Sequence, residues 1–454
     1  MNPPFEVALA TFGLLAVLGF APARVLGRSR PWAVVLTPVT GALICATAAS
    51  LCVLTRTPMT PWLASLGLAG WGALFVVQRR RSLAAELTSG EAWAVAAAFV
   101  VALVPVVLVD LPPTVSDARS IWWLHAAWFR AGGALASEAM GNRAYGGSLP
   151  AHPPLVPAVI AAVWHLDAAY DREVALRVSQ LMTACSVASL GFVTTSALAS
   201  RGRRAALLAA AVTWLAWSAK VTVGLNGLLD LTWAAFLVAG AVLWLAGDTD
   251  WRTVAAGALL VAAAILTKSE GQMGALLLLG LAAVRMRGSR ASLGLALGAV
   301  AGAIGLWRSV VTPNANDTGD LRRMPELVEP GSPGWDRMVE ALGDFAAHLG
   351  LPVLLGVLVV SAVVVLGRGP TLRIHQAGLV GLLVLAAGMV LGNAAVFALR
   401  PEDMVTLEQS VSYRAVIVTR LLVLVDVVLA LVSARRALHL PPSRASTVAG
   451  KEVP

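Results

Sequence analysis

The groups most able to do chemistry in this chain are few and lie between long apolar runs. Asp117 sits near the start of SDARSIWWLHAAWF, residues 116–129. A carboxylate there can take a proton from an attacking hydroxyl, or it can simply cap the helix that follows, since aspartate is a favoured N-cap. Lys268 and Glu270 share the turn LTKSEG, which reads either as a solvated ion pair or as a cation offered to a phosphate. Arg414 opens the last apolar run, and Arg420 and Asp426 lie within it. Ionisable groups at membrane depth are costly and default to functional hypotheses, although Arg420 could equally snorkel outward. No P-loop, HExxH, CxxC pair or GxSxG elbow occurs. The three cysteines, Cys45, Cys52 and Cys185, show no metal-ligand spacing and read as small buried hydrophobes.

The elements that must position these groups are membrane helices. The chain has 454 residues, 58% hydrophobic and only 13% charged, about half the charged fraction of a soluble domain. Apolar stretches of roughly 20 residues, each enough to cross a hydrocarbon core, recur from end to end. About 13 spans are expected, near 5–23, 32–54, 59–77, 91–109, 175–199, 205–219, 228–246, 253–267, 271–285, 291–309, 351–367, 376–398 and 415–434. The expected fold class is therefore all-α, a polytopic membrane protein. The N-terminus, MNPPFEVALATFG, has no basic stretch before its apolar run and reads as a first span.

Basic residues orient the spans. Clusters follow the first span (Arg24, Arg28, Arg30), the third (Arg79 to Arg81), the fifth (Arg201, Arg203, Arg204) and the ninth (Arg285, Arg287, Arg290). Others follow the eleventh (Arg368, Arg373) and the last (Arg435, Arg436). With the N-terminus outside and the C-terminus in the cytoplasm, every cluster falls on the inner face, as the positive-inside rule requires. The same assignment puts 18 of the 25 acids on the outer side, counting from Asp110. The formal charge of +9 is thus an inner-face property, which removes a nucleic-acid partner.

Three outer segments stand out, 110–169, 310–350 and 400–414. In the first, Ile121, Leu124, His125 and Trp128 recur at helical spacing and predict a short helix over 118–130, its tryptophans seated at headgroup depth. In the second, Trp335, Met338, Val339, Leu342, Phe345 and Ala346 predict another amphipathic helix. Gly294, Gly298 and Gly302 form consecutive GxxxG steps that predict close helix packing.

Several separated motifs agree with one family. An acid in a first large outer loop (Asp117), a surface helix and His152-Pro153-Pro154-Leu155 come first. REVALRVSQLMTACSVASLGF, with Arg177, and NGLLDLTWAAFLVAGAVLWLAG, opened by Asp230, come next. WRTVAAGALLVAAAILTKSEG and RPEDMVTLEQSVSYRAVIVTRLL complete the series. In their order the chain resembles the GT-C superfamily of polytopic glycosyltransferases, particularly bacterial relatives of the protein mannosyltransferases, over residues 91–434. The resemblance divides the chain into three additional N-terminal helices (1–90), a catalytic core (91–310), a C-terminal membrane part (311–436) and a cytoplasmic tail (437–454).

What the resemblance implies is a transferase in the plasma membrane. It would move a sugar from a polyprenyl-phosphate donor to a glycan, lipid or protein hydroxyl on the outer face, with inversion. Asp117 would be the base. Lys268, Arg414, Arg177 and Arg420 would meet the donor phosphate, and His152, Asp230 and Glu270 would complete the substrate site. No metal ligands are assigned, and a divalent cation is the one cofactor the resemblance admits. The rival class is a multi-pass transporter or lipid flippase. That class predicts an internal repeat and broken helices meeting at mid-membrane, and no clear repeat is visible in the sequence.

Overall fold

The computed structural model describes residues 3–27, 29–80, 89–142, 144–145, 151–166, 170–198, 202–311, 330–366, 370–398 and 413–439. Among these residues every regular element is helical. The stretches 312–329 and 399–412, in which parts of the second and third expected outer segments fall, and the tail from 440 lie outside the described residues.

The helices follow the apolar runs. The first four are α1 (Pro3–Leu26), α2 (Arg30–Thr55), α3 (Met59–Arg80) and α4 (Ser89–Leu108). After the segment that carries Asp117 come a π-helical turn (Ala118–Trp123), α5 (Leu124–Ala131) and α6 (Gly133–Gly141), then α7 (Leu155–Leu166). The bundle continues with α8 (Arg172–Ala197), α9 (Gly202–Ala219), α10 (Val221–Leu225) and α11 (Asp230–Ala241), the last running into a second π turn (Val242–Ala246). It closes with α12 (Trp251–Thr267), α13 (Ser269–Arg285), α14 (Arg290–Val311), α15 (Pro333–Leu366), α16 (Pro370–Ala398) and α17 (Ile417–His439).

Among the described residues nine helices are long and apolar enough to cross a membrane. They are α1 to α4, α8, α14, the apolar part of α15, α16 and α17. Each of the thirteen expected stretches falls on a helix, but α9, α11, α12 and α13 are outside that set of nine. α12 and α13 have 17 residues each and α11 has 12 before its π turn. α15 breaks at Gly350, whose φ of 71° leaves the helical region, with Pro352 just beyond. The break separates the amphipathic stretch 333–349 from the apolar one, as the two patterns in the sequence require.

α8 is enclosed along almost its whole length and forms the centre of the bundle, with α2, α4, α9 and α11 packed around it. α2 also packs on α7, α12 and α14, so this early segment is part of the common core. The cysteines are free and buried, as expected. Among the described residues the glycine steps of α14 are not a packing seam: a Cβ at Gly294, Gly298 or Gly302 would meet none of their atoms within 4 Å.

Candidate functional site

Five of the eight candidate residues meet in one chain of ion pairs. Arg414 lies in a short helical turn (Tyr413–Ala415) ahead of α17, held to α16 by the Asn393 amide, which donates to the Ala415 carbonyl at 2.8 Å. Its Nε donates to Asp230 Oδ2 at 2.8 Å, and its Nη1 donates to Asp117 Oδ2 at 2.9 Å. Lys268 Nζ approaches the other oxygen of Asp230 at 2.5 Å and Glu270 Oε1 at 3.0 Å. Two cations are thus interleaved with three carboxylates, and Asp230 is bracketed by both cations.

Local structure explains why these groups converge. Asp230 is the first residue of α11, where the helix N-terminus favours an anion. Lys268 is the single extended residue (φ −154°, ψ 152°) between α12 and α13, so it is the end of one helix and the start of the next. Burial leaves these two little contact with water: Asp230 is 3% exposed and Lys268 6%. In such surroundings each ion survives only because the other is there. Burial opposes the charge on Arg414, but Asp230 and Asp117 more than reverse this and raise its pKa. Burial likewise pushes the Glu270 carboxyl up, yet Lys268 and then His152 bring it below the ordinary glutamate value.

Asp117 is not a cap. Its backbone is already helical (φ −59°, ψ −41°) and its side chain caps nothing; it points to Arg414 instead. Its carboxylate is 44% exposed, and among the described residues one of its oxygens has no hydrogen-bond partner. The helix that follows begins as a π turn, a widened geometry common at functional sites. This corrects the role given to the tryptophans. Trp122, Trp123 and Trp128 are 1%, 4% and 4% exposed, because the π turn packs on α7 and α8 and α5 packs on α6 and α7. Trp122 stacks on His152 with ring centroids 5.1 Å apart, and His152 Nδ1 lies 3.4 Å from Ser269 Oγ, beside Lys268. His152 therefore borders the cluster.

The α5–α6 segment is also pinned from the N-terminal part of the chain. The Gly133 amide donates to the Thr57 carbonyl at 3.0 Å, and a Cβ on Gly133 would stand 1.7 Å from the Cys52 carbonyl oxygen. Only glycine lets the end of α2 approach so closely.

Two candidates stand elsewhere. Arg177 donates to the Val106 carbonyl at 3.2 Å, to Gln180 Oε1 at 3.1 Å and to Asp110 Oδ1 at 2.6 Å. Arg420 donates to the carbonyls of Ala219 and His348, so it neither joins the cluster nor snorkels freely. Sequence reasoning missed Ser269, Gln180 and the part played by Asp110. Gln180 is fully buried and its amide donates to the Leu225 carbonyl at 2.7 Å. A polar residue three positions after Arg177 in an apolar helix is the signal that could have found it. Among the described residues no group of three or more His, Cys, Asp or Glu residues could hold a metal.

No family model, no curated protein and no solved structure matches this chain.

Proposed function

We propose that the chain is a membrane glycosyltransferase of the GT-C type. It moves a sugar from a polyprenyl-phosphate donor to a glycan, lipid or protein hydroxyl, with inversion. In this reading it lies in the plasma membrane with the N-terminus outside, and the cluster faces outward. The observation that carries the reading is the chain Asp117–Arg414–Asp230–Lys268–Glu270, gathered from separate segments.

The chemistry follows from the roles these groups can take. The acceptor hydroxyl attacks the anomeric carbon as the bond to the lipid phosphate breaks, and its proton passes to the open oxygen of Asp117. Negative charge grows on the departing phosphate, which needs fixed cations. Lys268 and Arg414 supply them, and Asp230 holds both in place without touching substrate. Arg414 uses Nε and Nη1 on carboxylates, so Nη2 is left for the phosphate among the described residues. His152, stacked on Trp122, borders the sugar. A divalent cation is not required by this scheme.

The test supplies purified protein with radiolabelled polyprenyl-phosphate sugars and follows transfer or release. Asp117→Asn abolishes transfer while membrane expression and thermal midpoint stay near wild type, because the carboxylate it replaces is 44% exposed and Arg414 keeps Asp230. Preserved transfer in that variant removes Asp117 as the base. The rival reading, a transporter or lipid flippase, has one observation on its side: Asp426, a buried carboxyl group inside α17. Lipid or solute transport by the purified protein, with no transfer from any donor sugar, would favour it.

A further inference from the structure

α15 is two helices in series, and the break between them leaves a carbonyl that another part of the chain satisfies. Gly350, at φ 71°, departs from the helical region, and Pro352 follows. In an unbroken helix the His348 carbonyl accepts the amide four residues on. Here that residue is Pro352, which has none. α9 ends at Ala219, where Lys220 (φ −170°, ψ 73°) turns the backbone out of the helix. Helix ends of this kind leave carbonyls without intrahelical partners. One side chain answers both. Arg420, on the first turn of α17, donates from Nη1 to the Ala219 carbonyl at 3.3 Å and from Nη2 to the His348 carbonyl. A cation is favoured at a helix C-terminus, and this guanidinium serves two of them.

We propose that Arg420 is a positioning residue: by clamping the amphipathic half of α15 to α9, it holds the turn that carries Arg414. The inference rests on the transferase reading for what Arg414 does, and it replaces the phosphate contact that the family resemblance gives to Arg420. Within that half of α15, Phe345 is fully buried in a cluster with Ala341, Ala394 of α16 and Val416, and Ala415 packs against the same cluster. Ala415 and Val416 directly follow Arg414. The Tyr413–Ala415 turn is three residues long, too short to hold a helical shape by itself. Its position comes from the side chains packed on it and from the Asn393 amide. Arg414 keeps Nε on Asp230 and Nη1 on Asp117, two directional bonds that a shift of the turn would break. The clamp asks for arginine, whose planar fork reaches acceptors on two separate helices. A phosphate, by contrast, is also bound well by lysine as a point charge.

The experiment uses the full chain in detergent and has two readouts. Hydrogen exchange is followed in segments 333–349 and 413–416, while the amides of α8, at the centre of the bundle, report whether a variant has folded. Arg420→Gln, Arg420→Lys and Phe345→Ala each speed exchange in both segments about tenfold or more, as local opening becomes easier, and α8 keeps its protection. Phe345→Ala empties a buried position; should it lose the protection of α8, the two Arg420 variants are read alone. Turnover is followed with radiolabelled polyprenyl-phosphate sugar. In all three variants kcat and kcat/KM fall together by about tenfold or more with donor KM near wild type, the pattern of a misplaced group that acts in the transition state. Arg420→Gln combined with Phe345→Ala loses less than the product of the two single losses, because both cut one path. Wild-type exchange in Arg420→Gln overturns the proposal. Full rescue of turnover in Arg420→Lys, or a raised donor KM at normal kcat in Arg420→Gln, also overturns it, as the outcome for a direct phosphate contact. Faster exchange in a chain that transfers no sugar sinks the transferase reading and leaves the clamp standing. Transfer with unchanged exchange sinks the clamp alone.

Discussion

Asp230 and Asp426 are both aspartates buried on apolar helices, and they are opposites. Asp230 is 3% exposed and receives Lys268 on one oxygen and Arg414 on the other. Asp426 is 0% exposed, and among the described residues neither of its oxygens has a hydrogen-bond partner. The difference is where the counter-charges come from. Those of Asp230 are 38 and 184 residues away in the chain and arrive from the residue that ends α12 and from the short turn ahead of α17, where the chain between helices can offer a side chain to a shared pocket. Asp426 lies mid-helix, between Thr419 and Ser433 at seven-residue spacing, all three buried on α17. Neighbouring helix interiors present mostly hydrocarbon there. Burial alone therefore does not mark a site; burial together with converging charges does.

The largest effect is expected at the paired aspartate. Asp230→Asn keeps the shape but strips the counter-charge from two cations that remain buried. Removing one partner of a buried pair typically costs about 3–5 kcal/mol. If the chain is the proposed transferase, sugar transfer falls with it, since Lys268 and Arg414 lose their common anchor. Thermal unfolding in detergent, read beside transfer, checks this. A variant that unfolds like wild type would show that the cluster is solvated, and the contrast with Asp426 would collapse.

This contrast also measures what could be read from the chain. The apolar runs, the break at Gly350 between an amphipathic and an apolar stretch, and the helix after Asp117 were legible because each is a local period. The membership of Asp117, Asp230, Lys268, Glu270, His152 and Arg414 in one neighbourhood was legible through the order of motifs. Their pairing was not, because it depends on how the start of α11, the end of α12 and the turn ahead of α17 come to lie beside one another. The tryptophans of the π turn and α5 misled for the same reason: composition suggested headgroup depth, whereas the neighbouring helices cover them. The α14 glycines match a motif whose partner helix is absent among the described residues.

The second effect has the opposite sign. Asp426→Leu replaces a carboxyl group without hydrogen-bond partners by a side chain that fits its surroundings. Replacing buried charged groups by apolar ones of similar volume is often neutral or stabilising, by about 1–4 kcal/mol. We expect a raised thermal midpoint and unchanged sugar transfer. A lowered midpoint would mean that Asp426 has an undetected partner and belongs with Asp230. Loss of a transport activity would instead move the chain to the rival class.

Glu270 stands between the two and should give the smallest effect. Its Oε1 meets Lys268, while its buried Oε2 has no hydrogen-bond partner among the described residues. Burial pushes its carboxyl up and the nearby charges of Lys268 and His152 outweigh that, so its pKa in the folded protein lies below the ordinary 4.5. A carboxyl depressed by folding adds stability that is fully present above its unfolded value and is lost as pH falls through the folded one. The contribution of Glu270 should therefore be constant with pH near neutrality and decline below about pH 4.5. Glu270→Gln removes that part of the acid slope while leaving the slopes of the other carboxylates. If burial outweighed the cations, the sign would reverse: the carboxyl would be raised, Glu270→Gln would stabilise at neutral pH, and Glu270 would behave as a second Asp426. Thermal midpoints of both proteins, measured from pH 7 down into the acid range, separate these outcomes.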